Sequence, residues 1–553
     1  MLPNIPDVNV GGTGIPLLIH QLLYNRGITE ASDIESFLAA DERLRGDPII
    51  LPGMHEAITR LYRALLTREK IAIYGDFDVD GITATALLVQ GLSMLDCDAI
   101  PYIPNRIKDG YGLKTAALDS LQKQGVSLVI TVDCGITAVS EVKKANKLGL
   151  DIIITDHHVP PDEIPTAAAV IDPKLPESKY PTSELAGVGV AMKLLEALFS
   201  GLGKGDKLEQ VFDLVALGTV ADMVPLLGEN RYLVKKGLRI LNDSPRPGIQ
   251  EIVNKTGLDA ANINSTSISW TIAPRLNAAG RVEDATNSYR LLMTDSVEEA
   301  QQLADWLEQK NLERQKMTTR ALDRAREQVE SQVDQPLLIA SDASYPAGIM
   351  GLVAGRLSEE YYRPVLVIRT GDRYCGGSSR SIPEFNMIEA LTKCSHLLTH
   401  FGGHSRAAGL SLYTRNLPRL KQALMEIAAE ELEGVDLRPK IDIDAETTLP
   451  ELSGDAYPTI QKMAPFGQGN PVPTFIARGV EVVSSNTMGS DNSHLRMKVK
   501  QGAMLFDAVG FGLGNYVNEI SASINIVFNL EMDYWNGQSK LRLNVLDFES
   551  VSS

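Results

Sequence analysis

The spacing of apolar residues changes several times along the chain, and each change marks a different kind of element. Between residues 11 and 70, the stretches IPLLIHQLLYNRG and MHEAITRLYRALLTREK repeat apolar positions at three and four, the period of one helix face. They predict an N-terminal helical segment, residues 1–70, packed on the domain that follows. From Lys70 the pattern shortens to apolar runs of four to six residues alternating with amphipathic stretches. IAIYGD, AIPYIP, LVITVDCG and DIIITDHH read as strands, with helices near ITATALLVQGLSML, TAALDSLQKQG and AVSEVKKANKLG between them. Short strands alternating with helices predict an α/β domain built on a doubly wound, mostly parallel sheet, residues 71–282, whose last part is helical. In such a sheet a site lies at the carboxyl ends of the strands. A long charged helical stretch without internal Gly or Pro fills 283–333 and predicts a connector helix. A second, smaller α/β domain follows at 334–438, with QPLLIASD and PVLVIRT among its strands. After Pro439 several short strands separated by turn residues predict an OB-like β-barrel over 439–553.

The predicted strand ends carry chemistry. GDFDVDG brings Asp76, Asp78 and Asp80, TVDCG brings Asp133, and TDHH brings Asp156, His157 and His158. Adjacent parallel strands place these groups within several ångströms of a shared centre. Carboxylates with one or two imidazoles suit manganese or magnesium better than a structural zinc site, which favours thiolates. A single Asp at a strand end is more often a helix cap or turn former, and Asp76 or Asp156 read alone is no more than that. Three alternating Asp in five residues repel one another, and cations offset that repulsion.

Composition limits the reading. A chain of 553 residues exceeds one hydrophobic core, so about three domains are expected. The four cysteines (Cys97, Cys134, Cys375, Cys394) are scattered, without the pairing of a zinc ribbon or a disulfide framework. A formal net charge of −17 counts against a broad basic surface for duplex DNA, although a metal site concentrates carboxylates and a DNA channel need be basic only locally. The N-terminus lacks a basic region followed by an apolar core, and no apolar run approaches a membrane span, so a cytoplasmic location is expected.

GDFDVDGITAT, TVDCGIT, TDHHVP and ALGTVADMVPL resemble, in order, the four motifs of the DHH phosphoesterase family. The resemblance implies two divalent cations, manganese or magnesium, bridged by Asp133. Asp76 and Asp78 then bind one ion, and Asp80, His157 and Asp222 the other. Asp222 acquires this role from the resemblance alone, since an Asp after an apolar helix is otherwise unremarkable. Some branches carry a His where Tyr74 stands here, and Asp76 is its expected substitute as a ligand. The catalytic set that the resemblance implies is Asp133, His157 and His158, with His158 contacting substrate or transition state.

Features outside the metal motifs resemble the branch of this family that degrades single-stranded DNA from the 5′ end, with roles in DNA repair and recombination. FGGHSRAAGLSL, with Gly402, Gly403, His404 and Arg406, resembles the glycine-rich motif of the DHH-associated domain, whose backbone lies close to nucleic acid. Ser378 and Arg380 of GSSRSI would hold a terminal 5′ phosphate. Arg275, Asn277 and Arg281 of APRLNAAGR are further substrate-binding candidates, though without the family they read as a capped loop with solvated arginines. Arg106 and Tyr111 of NRIKDGYGL suit phosphate contact and base stacking, and a tyrosine in such a loop is as often a packing residue. The barrel resembles the oligonucleotide-binding barrel of that branch. The partners implied are single-stranded DNA with a 5′ end, a single-strand-binding protein and a helicase, and a monomer is expected. Two other readings stand beside this one: a DHH hydrolase of short RNA or cyclic dinucleotides, which shares the ligands, and a non-enzymatic replication scaffold, which the filled ligand positions disfavour.

Overall fold

A computed structural model describes residues 16–551 except 107, 490, 536 and 537. The stretch searched for a leader and the start of the first helical run therefore lie outside the described residues. The described residues form two compact units, one within 47–222 and 237–439 and one within 1–46, 223–236 and 440–553.

The larger unit opens with helix α3 (Met54–Thr67) and the predicted parallel sheet. Its strands are β1 (Ile71–Gly75), β2 (Ala99–Tyr102), β3 (Leu128–Val132), β4 (Asp151–Thr155) and β5 (Ala169–Ile171), in the order β2-β1-β3-β4-β5. All pairings are parallel. Four strands fall where the apolar runs predict them; β5, three residues long, has no comparable signal. Every residue of β1 and β3 is buried, as a sheet covered on both faces requires. On one face Ala72, Tyr74, Val129, Ile152 and Ile154 pack against α5 (Thr115–Lys123) and α6 (Val139–Lys147). Helices α4 (Val79–Ser93), α7 (Gly187–Gly201) and α8 (Phe212–Ala221) form a second layer that contacts β1, β3 and β4. The register pairs Gly75 with Val132, Val132 with Thr155, and Thr155 with Ile171. The residues that follow, Asp76, Asp133, Asp156 and Asp172, therefore form one row along the carboxyl edge.

The connector is a 33-residue helix, Val297–Val329, N-capped by Ser296. A separate helix, Thr286–Met293, precedes it, so the charged stretch breaks once. The second sheet comprises β6 (Leu338–Asp342), β7 (Val365–Arg369), β8 (Tyr374–Arg380), β9 (His400–His404) and β10 (Ala407–Tyr413), in the order β6-β7-β8-β10-β9. Only β6 and β7 run parallel, joined by helix Met350–Tyr361.

The smaller unit contains a barrel of β11 (Ala445–Glu446), β12 (Thr474–Met488), β13 (His494–Gln501), β14 (Met504–Gly510), β15 (Ser523–Trp535) and β16 (Gln538–Ser550). Pairing of β12 with β15 closes it. Its core includes Ile19, Leu22 and Leu23 of α1 (Leu17–Tyr24) and Ile34 and Phe37 of α2 (Ala31–Ala39). The single N-terminal segment expected from periodicity is thus divided. α3 packs on the parallel-sheet domain, whereas α1 and α2 complete the barrel core. Periodicity marks an apolar face but not its partner.

Candidate metal centre

Each candidate ligand is placed by a strand end or a helix terminus. Asp76 follows β1, and Asp78 caps α4, its side chain accepting from the Gly81 amide at 3.2 Å. Asp78 thus caps α4 and still offers a carboxylate oxygen to the acidic cluster. Asp80, one residue into α4, accepts from the Gly187 amide at 2.6 Å and the Val188 amide at 2.8 Å, both at the start of α7. Asp133 follows β3 with φ of 59°, a left-handed conformation that non-glycine residues seldom adopt and that clusters at functional sites. Asp222 sits at the end of α8.

These side chains converge. Asp76, Asp78 and Asp133 offer ligand atoms within 4.8 Å of one another, as do Asp80, His157 and Asp222, and also Asp133, His157 and His158. His157 Nε2 lies 3.1 Å from Asp133 Oδ1 and 3.8 Å from Asp80 Oδ2, while its Nδ1 lies 3.7 Å from Asp222 Oδ2. Burial, then the neighbouring carboxylates, raises Asp76, Asp133 and Asp222 well above the usual carboxylate range and pushes Asp80 up to about 7. Burial, then the charge of His158, lowers His157 to about 3, so its imidazole is neutral and able to ligate. Among the described residues, Asp76 Oδ1, His157 Nδ1 and Asp222 Oδ2 are buried without a hydrogen-bond partner. Crowded carboxylates, a neutral imidazole and partnerless buried donors fit oxygen-seeking divalent cations.

Asp156 serves a different purpose. Its carboxylate accepts from the Ile136 amide at 2.9 Å, the His157 amide at 2.8 Å and His158 Nδ1 at 2.7 Å. Burial opposes its ionisation, but the hydrogen bond and charge of His158 hold it at about 2. Burial likewise opposes charge on His158, and the bond to Asp156 overrides it, raising His158 to about 9. The half-exposed His158 is therefore an anchored imidazolium. Tyr74 is no ligand: its hydroxyl donates to the Gly112 carbonyl and its ring stacks on Tyr102.

Several substrate candidates gather around this centre. Arg106 lies 4.8 Å from the centroid of the Phe77 ring, between Asp76 and Asp78 in sequence. The Tyr111 hydroxyl is 3.3 Å from His158 Nδ1. Asn277 Oδ1 accepts from the Val79 amide, and Arg281 Nη1 donates to the Gly348 carbonyl. Burial, then Arg106 and Arg314, lowers Arg281 to about 9, while burial and Arg106 lower Arg380. Ser378 Oγ and Arg380 Nη2 each lie 3.1 Å from the position a Cβ on Gly351 would occupy, beside the first turn of helix Met350–Tyr361. The glycine-rich motif is an edge strand and hairpin. Gly403 has φ of 142°, and a Cβ there would lie 2.3 Å from the Ala407 carbonyl oxygen, whereas Gly402 is open. His404 is within electrostatic reach of His158 and Arg380, and Arg406 Nε donates to the Ser381 carbonyl. Arg275 differs, its guanidinium being bound to Glu308 of the connector and to the Thr271 carbonyl.

Family models match three segments: the "DHH family, N-terminal domain" at residues 70–219, the "DHHA1 domain" at 334–430 and the "RecJ OB domain" at 443–547. The single-stranded-DNA-specific exonuclease RecJ of Bacillus subtilis is 38% identical over 535 residues, 96% of this chain and 67% of that protein. The chain belongs to the RecJ family. A crystal structure of RecJ from Thermus thermophilus in complex with Mn2+ superposes with a TM-score of 0.85 at 29% identity, covering 100% of this chain and 79% of that one. Another, with Mg2+, gives 0.80 at 28% identity, covering 100% and 78%. Manganese and magnesium are thus the ions of these RecJ structures, and the donor chemistry here suits both.

Motif reading overlooked part of this RecJ-type centre. Gly187 and Val188, whose amides hold Asp80, stand in LAGVGVAM, where a Gly-x-Gly at a helix start is the available signal. Lys174, in the turn after β5, acts electrostatically on His157, Asp172 and Asp222. Nothing in its local sequence marks it.

Proposed function

We propose that this member of the RecJ family degrades single-stranded DNA from the 5′ end, releasing 5′ mononucleotides in DNA repair and recombination. Metal-dependent exonucleolytic hydrolysis follows from the family and the carboxylate centre together. The observation that carries the reading is the pair of donor sets, Asp76/Asp78/Asp133 and Asp80/His157/Asp222, with Asp133 Oδ1 3.1 Å from His157. Asp133 is assigned as the bridge, with one set on each side.

Two divalent cations held by Asp76, Asp78, Asp133, Asp80, His157 and Asp222 would supply an acidified water and neutralise charge on the phosphodiester. The remaining work belongs to side chains. Asp156 anchors His158 through Nδ1, leaving a protonated ring to stabilise negative charge developing on the phosphoryl oxygens. Tyr111, at 3.3 Å from that ring, is available to stack on a base. Ser378 and Arg380, with Arg106 and Arg281 nearby, are assigned to the terminal 5′ phosphate, a group for which a guanidinium fork is suited. Gly402, Gly403, His404 and Arg406 are assigned to the backbone of the incoming strand, with Asn277 steadying the Asp78 turn. Arg275 is assigned to substrate only after release from Glu308.

The barrel is assigned to the trailing single strand. A monomeric, cytoplasmic enzyme supplied with substrate by a single-strand-binding protein and a helicase is the cellular setting proposed. Among the described residues no helix is long and apolar enough to cross a membrane. The deciding experiment compares a long 5′-phosphorylated oligodeoxynucleotide with a dinucleotide under manganese. Preference for the long strand, with mononucleotides released from its 5′ end, is expected, and preference for the dinucleotide would overturn the assignment.

A further inference from the structure

Helix Ala273–Val282 and the π turn before it, Ile268–Ile272, form one continuous helical run beside the metal centre. Its C-terminal half is fixed there. Asn277 Oδ1 accepts from the Val79 amide at 3.2 Å, next to Asp78, and a Cβ on Gly280 would lie 2.6 Å from the Phe77 carbonyl oxygen. Arg281 donates to the Gly348 carbonyl, just before helix Met350–Tyr361, whose first turn meets Ser378 and Arg380. The run therefore has a direction, from the terminal-phosphate group at Arg281, past the Asp78 turn at Asn277, to the π turn.

Trp270 stands on that π turn with 80% of its surface exposed. Single exposed aromatics are common, so its position decides its meaning. Trp270, Pro274, Asn277 and Arg281 follow at steps of four, three and four, one face of a helix, and each reaches solvent. Ile272, Ala273, Leu276, Ala278, Ala279 and Gly280 between them are buried. At 1.5 Å per residue the ring lies about 10 Å along the axis from Asn277 and about 16 Å from Arg281. With a terminal phosphate at Arg380, it is on the far side of the Asp78 turn, where nucleotides 3′ of the scissile bond run.

Cations accompany the ring. Arg275 donates to the carbonyl of Thr271, the residue after Trp270. Arg314 of the connector helix is within electrostatic reach of Arg275, and among the described residues its guanidinium bonds only to the Asn311 side chain, with no carboxylate. The neighbours of Trp270 in the chain, Ser269 and Thr271, are polar. A protein anchor is an aromatic packed in a desolvated surround, whereas a base needs only one ring face with positive charge nearby.

We propose that Trp270 is a stacking platform for a base of the incoming strand, about three stacked nucleotides beyond the scissile bond, with Arg314 and, once released from Glu308, Arg275 facing the adjoining phosphates. This role rests on the exonuclease assignment and deepens it, because a substrate too short to reach the ring gains nothing from it. The test is single-turnover removal of the first nucleotide by the manganese-loaded full chain, reading the enzyme concentration that gives half the maximal rate. For a long 5′-phosphorylated oligodeoxynucleotide, Trp270→Ala should raise that concentration by about fivefold or more, the loss of one base stack, and leave the maximal rate within about twofold. Trp270→Phe keeps a ring and should match wild type, and all three enzymes should cut a dinucleotide equally. An abasic site moved along the strand should weaken wild type most at one position beyond the scissile bond, and that extra loss should vanish in Trp270→Ala. The variants are expected to fold, since the ring is exposed. An unchanged concentration for the long strand in Trp270→Ala would overturn the platform and leave the ring to a protein partner. Equal loss on the dinucleotide would overturn it in favour of a packing role transmitted through Asn277. Either result leaves the exonuclease assignment standing if wild type prefers the long strand; a wild type that prefers the dinucleotide would sink that assignment and this role with it.

Discussion

Gly187 is the point at which a single added methyl group should disable the enzyme without unfolding it. A Cβ at this position would lie 2.7 Å from Asp133 Cβ and 2.9 Å from both Asp133 Oδ1 and Asp80 Oδ2. Ordinary contact begins at 3.4 Å, so Asp133 must retreat by about 0.7 Å (3.4 − 2.7) or α7 must shift with its amides. Either movement displaces Asp80 relative to Asp133, and misplacement on the order of 1 Å costs about 100-fold in a positioned reaction. We therefore expect Gly187→Ala to lower kcat by 10- to 100-fold and to raise the manganese concentration needed for half-maximal rate. Stability should change little, because overpacking of about 1–3 kcal/mol is partly offset by the gain of about 1 kcal/mol when Ala replaces Gly in a helix. The assay is hydrolysis of a 5′-phosphorylated oligodeoxynucleotide across a manganese series, with thermal unfolding in parallel. Gly189→Ala is the control, since its nearest neighbour, Leu185, would be 3.5 Å away. A Gly187→Ala enzyme within threefold of wild type at every manganese concentration would refute the packing argument.

Other outcomes follow from the same structure. Asp133→Ala should leave the fold intact while eliminating detectable hydrolysis and the stabilisation that manganese gives the wild type, about 2.7 kcal/mol at 100 times Kd; near-normal activity would remove Asp133 from the centre. Arg380→Ala should reduce the preference for a 5′-phosphorylated over a 5′-hydroxyl end more than it reduces overall DNA affinity, and equal loss for both ends would count against an end-reading role. Hydrogen bonds from Arg60, against the opposing effect of burial, hold the Glu69 carboxylate down to about 2. Its contribution to stability is complete above the ordinary glutamate pKa and disappears as pH falls towards 2, so Glu69→Gln should be less stable than wild type near neutrality and converge with it in acid; parallel unfolding curves across that range would refute this.

The sequence exposes groups whose local pattern is itself the signal. Three alternating aspartates and a tandem histidine announce a metal site, and alternating strand and helix patterns place it at a carboxyl edge. The pattern is silent where function depends on a distant partner. Asp156 reads like its neighbours yet orients His158, because only the fold shows its oxygens turned to the Ile136 amide and that ring. The amides that hold Asp80 come from a helix 107 residues away. Arg275 looks as available as Arg281 until the connector brings Glu308 against it. α1 and α2 show the same limit at the level of domains, since an apolar stripe does not state whether a sheet or a barrel will cover it.

The aligned register of β1, β3, β4 and β5 makes the backbone ladder the gauge that sets the spacing of Asp76, Asp133, Asp156 and Asp172 along the carboxyl edge. Neighbouring strands stand about 4.8 Å apart, so the aspartates that follow them are spaced at that interval before their side chains turn. Inserting one residue into β3 would carry Asp133 about 3.3 Å along its strand and reverse the face its side chain presents. Change by insertion is thereby confined to the loops and to the surrounding domains, while the four strands must keep their lengths in step.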